Sequence, residues 1–144
     1  MGWSVYVRRG KVYIPSAVRT TDGIMIDVEP IEIAPVDDTI ALTLAVMSVV
    51  ARGIAVVPPP PRDSYDQSPI LGLAGVKNWS TFYKGTRQFG IECRSSGFEF
   101  VGYIPYGHGE RGFKPDESTR IKLAPDLPVE QVVDRIVEEI QREP

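Results

Sequence analysis

The chain reads as an α+β protein: a single domain over residues 1–144 with a mostly antiparallel sheet packed against two main helices, at about 38–52 and 128–142. Three observations predict this. Short runs that alternate apolar and polar residues recur between glycine-bearing turns, which is the period of strands with one buried face. Two longer segments carry helix caps and apolar spacing of the helical kind. A length of 144 residues, with 42% hydrophobic and 24% charged, suits one core that buries about two-thirds of the unfolded surface.

The elements follow in order. Residues 3–8 and 11–14 alternate around Arg9-Gly10, which predicts a tight hairpin at the edge of the sheet, with glycine supplying a positive φ. Asp22-Gly23 is a further turn signal. Behind it Ile24, Ile26, Val28, Ile31 and Ile33 predict a third strand, kinked where Pro30 removes a ladder donor. Asp37 or Asp38 caps a helix from Thr39 to Ala51 that ends at Gly53. That segment is apolar nearly all round, so Leu42, Leu44, Val46, Met47, Val49 and Val50 are expected at the centre of the core, before a strand at 54–57.

Four consecutive prolines, Pro58 to Pro61, form a semi-rigid connector. Pro69 starts a short helix, and Asn78 caps a turn that carries Trp79, Phe82 and Tyr83 and ends at Gly85. Residues 86–93 and 98–104 pair around Ser95-Ser96-Gly97, and Cys93, the single cysteine, falls in phase with Phe89 and Ile91 as a small core residue. Residues 105–118 are expected as a mobile loop and Thr119 to Ala124 as a short strand. Asp126-Leu-Pro then opens the last helix, whose Val129, Val132, Val133, Ile136, Val137 and Ile140 make one apolar stripe.

Charge and motifs bound the function. Sixteen basic against nineteen acidic residues, a net charge of −3, argue against direct nucleic-acid binding, which draws on Lys and Arg at phosphates. The longest apolar run, Ile40 to Val50, is well short of the roughly 20 residues that span a bilayer, and no signal segment is visible, so a cytoplasmic protein without a membrane role is expected. Gly107 to Gly112 matches G-x-G-x-x-G by letter only, because Lys114-Pro115 follows where a helix should open. No cofactor or metal set is legible, and His108 has no second His or Cys beside it.

Two readings of the loops remain. As a partner-binding surface, Asp63, Tyr65 and Asp66 after the prolines and Tyr106, His108, Glu110 and Arg111 in the glycine-rich loop combine aromatic and arginine anchors with an acidic rim. As an enzyme, a small hydrolase or transferase would use the 105–117 loop, with His108 as base and Arg111 as anion clamp. A third option is a subunit or adaptor that forms homo-oligomers through the apolar N-terminal hairpin, Trp3, Val5 and Val7.

The C-terminal half adds a resemblance. Lys77 through Lys84 (KNWSTFYK), Phe89 through Glu92, Phe98 through Pro105, Gly112 through Pro115 and the helix from Leu127 to Glu143 occur in an order similar to that of bacterial immunity proteins of contact-dependent growth inhibition and related polymorphic-toxin systems. The resemblance implies a cytoplasmic, non-enzymatic inhibitor that binds the toxin domain of a cognate effector, often a nuclease, and occludes its active site. It carries no catalytic residues over to this chain.

Overall fold

The computed structural model describes residues 1–61, 69–105 and 113–142. Its strands are β1 (Gly2–Arg8), β2 (Lys11–Thr20), β3 (Met25–Pro35), β4 (Ile54–Val57), β5 (Thr86–Arg94), β6 (Gly97–Pro105) and β7 (Phe113–Lys122). The helices are α1 (Thr39–Arg52), α2 (Pro69–Ala74), α3 (Trp79–Tyr83) and α4 (Val129–Gln141). One sheet runs β3-β2-β1-β5-β6-β7, antiparallel at every step, and β4 joins the far end of β2 in parallel. The fold is therefore α+β with two main helices, as the alternation and caps predict.

The first hairpin turns at Arg9 and Gly10, both at positive φ (48° and 77°), the geometry that matches the twist of antiparallel strands. It is not an edge. β1 pairs with β5 along its whole length, Gly2 opposite Glu92 through Arg8 opposite Thr86, and so lies inside the sheet. Trp3, Val5 and Val7 are buried in the main core, which removes them as a dimerisation surface. The β2–β3 register slips between Pro15 and Ser16, where Glu29 and the cis-bonded Pro30 are extra residues in β3. There the Ser16 hydroxyl donates to the Pro30 carbonyl at 2.7 Å. Bulges of this kind bend a strand, and the Met25-to-Val28 end of β3 consequently curls towards β1.

One face of the sheet is covered by α1 and α4. Asp38 caps α1 by accepting from the Ala41 N–H at 3.0 Å, and Gly53 ends the helix at a φ of 68°. Leu42, Ala45, Val46 and Val49 are buried, whereas Leu44 and Ile40 are 61% and 78% exposed. The expectation that Leu44 is core fails because α1 lies on the sheet with its outward face against no other described element, and that face holds the 40/44 pair one turn apart. On α4, Val132, Val133, Ile136, Val137 and Ile140 are buried, while Val129 stays outside at the first turn. Pro128 occupies the N-cap, just before the first turn, with no side-chain cap bond. At the other end Gln141 donates to the Val36 carbonyl and to Thr39, both at 3.0 Å, tying the two helices together.

The expected loop at 105–118 is overturned from Phe113 onward. Residues 113–122 are one strand, paired with β6 from Pro105 opposite Phe113 to Glu99 opposite Lys122 across an irregularity near Gly102. Pro115 is tolerated because β7 is the edge of the sheet, where a missing N–H interrupts no ladder.

Candidate functional site

Among the described residues, two short helices pack on the opposite face of the sheet. There α2 and α3 set Ile70 and Phe82 on Tyr6 and Tyr13, a second buried cluster separate from the main core. Asn78 starts α3 by accepting from the Thr81 N–H at 2.8 Å, and the helix ends one turn later. Phe82 is fully buried, edge-on to Tyr6 at 5.4 Å and to Trp79 at 5.5 Å. The Arg8 guanidinium is buried beside the Phe82 ring and donates to the carbonyls of Phe82 (2.9 Å) and Lys84, which supplies donors to the unpaired carbonyls at the end of α3 and fixes α3 on β1.

Anchored in this way, Trp79 and Tyr83 stack on each other one turn apart, with ring centres 5.3 Å apart and planes inclined by 24°. They form one wall of a cavity of about 900 Å³. The curled end of β3 forms another wall, with Met25, Asp27 and Glu29, and Val57, Pro58, Pro60 and Pro69 close it at the side. Tyr6 is its deepest polar group, and its hydroxyl donates to Asp27 Oδ2 at 3.2 Å. Burial raises the Asp27 carboxyl to about 6, against a smaller lowering by the Tyr6 hydrogen bond. Burial, then the field of Asp27, holds Tyr6 well above the ordinary tyrosine range, and the same two causes raise Tyr83.

A second cavity, of about 460 Å³, shares Met25 and Asp27 with the first and runs on past Gly90, Glu92, Arg94 and Tyr103. Met25 and Asp27 thus line both cavities. Glu92 and Arg94, which line this second cavity, belong to an ion-pair network. Arg94 and Arg120 each contact Glu92 at 2.8 Å and Glu99 at 3.1 Å, and Arg120 also grips Glu117 at 2.6 Å. Burial pushes Glu92 up, but the hydrogen bonds from Arg94 and Arg120 more than reverse it and its carboxyl lies below the ordinary range.

The seven residues singled out in the sequence, Asp63, Tyr65, Asp66, Tyr106, His108, Glu110 and Arg111, lie outside the described residues. The described residues beside their segments do converge. Pro60 and Pro69, on either side of 62–68, both line the aromatic cavity. Phe113, which follows 106–112 and pairs with Pro105 before it, packs edge-on to Tyr83 at 4.7 Å. Tyr6, Asp27, Trp79 and Tyr83 are site residues that sequence reasoning missed. The available signal was an acidic residue near the start of the third strand together with a surplus of aromatic residues around Asn78. Among the described residues no group of three or more His, Cys, Asp or Glu is placed to hold a metal ion, and no helix is long and apolar enough to cross a membrane.

No protein-family model matches the chain, and no curated protein matches it significantly. Among solved structures it is similar to a protein of unknown function, NMB0488, from Neisseria meningitidis, with a TM-score of 0.66 over 96% of this chain and 92% of that one. At 12% identity this likeness shows a shared fold, nearly end to end, and nothing finer.

Proposed function

We propose that this protein is a bacterial, cytoplasmic immunity protein of the contact-dependent growth inhibition kind, a stoichiometric inhibitor that binds a cognate toxin domain and occludes its active site. The observation that carries this reading is the open groove walled by the Trp79–Tyr83 stack, with the described flanks of both candidate binding segments around it. Protein interfaces concentrate their affinity in a few desolvated aromatic anchors beside a charged rim, and the groove offers that composition on a rigid sheet. The net charge of −3 suits a basic toxin, since opposite fields speed and orient association.

Co-expression with the toxin domain encoded by the upstream neighbouring gene tests it. Growth rescue with a complex that co-purifies supports the reading, and neither rescue nor complex removes it. The Trp79→Ala, Tyr83→Ala pair should weaken that complex at least about tenfold, as loss of one central hot spot does.

A small hydrolase or transferase is the second reading. It is favoured by the Asp27 carboxyl, raised to about 6 in a cavity, the range suited to general acid–base work. That reading requires turnover which His108→Ala and Asp27→Asn both abolish.

A further inference from the structure

Asp27 is a half-buried carboxylate with no paired cation among the described residues. The tyrosine hydroxyl of Tyr6 is its hydrogen-bond partner, and among the described residues no arginine or lysine pairs with it. The groups that face it are Tyr6 from β1, Tyr83 from α3, Glu29 on its own strand and, through the adjoining cavity, Glu92, Arg94 and Tyr103. Arg94 is already bound to both Glu92 and Glu99, at 2.8 and 3.1 Å, and Arg8 is turned to backbone carbonyls of α3 and Lys84. The groove therefore has a negative centre and an aromatic wall, with Ile24 and Met25, 49% and 38% exposed, at its rim.

These features select an occupant. An apolar group seated there would strip water from the carboxylate and leave it unpaired, and an anion would be repelled by Asp27 and Glu29 together. A cation gains the carboxylate and the ring faces at once. The exposed Ile24 and Met25 beside it favour a cation borne on a protein surface, which covers the rim as it enters, over a free small amine.

We propose that the groove receives one basic side chain, arginine or lysine, of a partner protein, with its guanidinium or ammonium paired to Asp27 and its stem lying along Trp79 and Tyr83. The inference rests on the inhibitor reading above and names the chemistry by which that surface recognises a toxin domain.

The test titrates the purified protein with acetyl-arginine methylamide and with the neutral, nearly isosteric acetyl-citrulline methylamide, following the Trp79 indole and Met25 methyl signals by NMR. The arginine compound should bind about tenfold or more tightly than the citrulline compound, and weaken as the pH falls through about 6. Asp27→Asn, which keeps an acceptor for Tyr6, should make the two compounds equal, and Trp79→Leu should weaken the arginine compound several-fold. Equal binding of both compounds to the wild type, an arginine preference that survives Asp27→Asn, or no response at these signals would overturn the proposal. Co-expression separates the two levels. Toxin neutralised equally by wild type and by folded Asp27→Lys would overturn the basic-residue site alone, whereas failure of the wild type to neutralise or bind would remove the inhibitor reading and leave the arginine preference to stand on its own.

Discussion

Tyr6 on β1 reaches across β2 to donate its phenolic hydrogen to Asp27 on β3, at 3.2 Å. The bond exists because the bulge at Glu29 and Pro30 bends β3 back over the sheet, and it holds a carboxylate that lines both cavities. A strand residue that alternation alone would assign to solvent is thereby turned into the polar centre of a groove.

The pH dependence of stability should carry the mark of Asp27. Its carboxyl is raised from 3.8 to about 6 on folding, so the native state holds the proton more tightly than the unfolded chain. Between those values stability from this group falls as pH rises, and above about 6 the full cost of the buried charge, about 3 kcal/mol, is present. Urea unfolding at pH 5 and pH 7.5 should show this decline in the wild type and its loss in Asp27→Asn. A wild type whose stability rises across that window by as much as Asp27→Asn does would contradict the account.

Phe82 is the centre of the second cluster, touching Tyr6, Tyr13, Trp79 and Tyr83. Truncation to alanine should cost about 3–5 kcal/mol in chemical denaturation and detach α3 from the sheet. Trp79→Ala, at a half-buried position, should cost much less. If the two proved equal, Phe82 would not be the anchor that holds the aromatic wall.

Gly97 turns the β5–β6 hairpin at a φ of 116°, and a Cβ there would lie 2.8 Å from the Leu123 carbonyl oxygen. Alanine meets a strained backbone and a rigid neighbour at once, so Gly97→Ala should destabilise by about 1–3 kcal/mol. Gly10→Ala, with φ at 77° but nothing within 4 Å, faces only the backbone term and should cost less in the same denaturation series.

In the ion-pair network the members are unequal. Arg120 is 13% exposed and joins Glu92, Glu99 and Glu117, whereas the Glu117 side chain is 68% exposed. Arg120→Ala should lower the melting temperature clearly, because it leaves the nearly buried Glu99 and Glu92 with only the more exposed Arg94, and Glu117→Ala should leave it almost unchanged. Equal shifts would mean that the network is a solvated surface feature.

What could be read from the sequence was local. Asp38 and Gly53 delimit α1, the valine and isoleucine stripe delimits α4, and the turns at Arg9-Gly10 and Gly97 delimit their hairpins. Pairing order was not legible, since β1 is internal only because β5, some eighty residues later, completes its other side. The Leu44 expectation failed for a related reason, as apolar character does not say which faces of a helix find neighbours. Asp27 joined the site through a bulge two residues away and a tyrosine two strands over, and strand periodicity contains neither.

The most direct measurement is the affinity of the purified protein for the toxin domain proposed as its partner, compared with that of Asp27→Asn and of the Trp79→Ala, Tyr83→Ala pair. The account predicts a tight one-to-one complex that neutralises the toxin and is weakened at least about tenfold by either change while the variants stay folded. A complex indifferent to both changes, or no complex with the wild type, would contradict it.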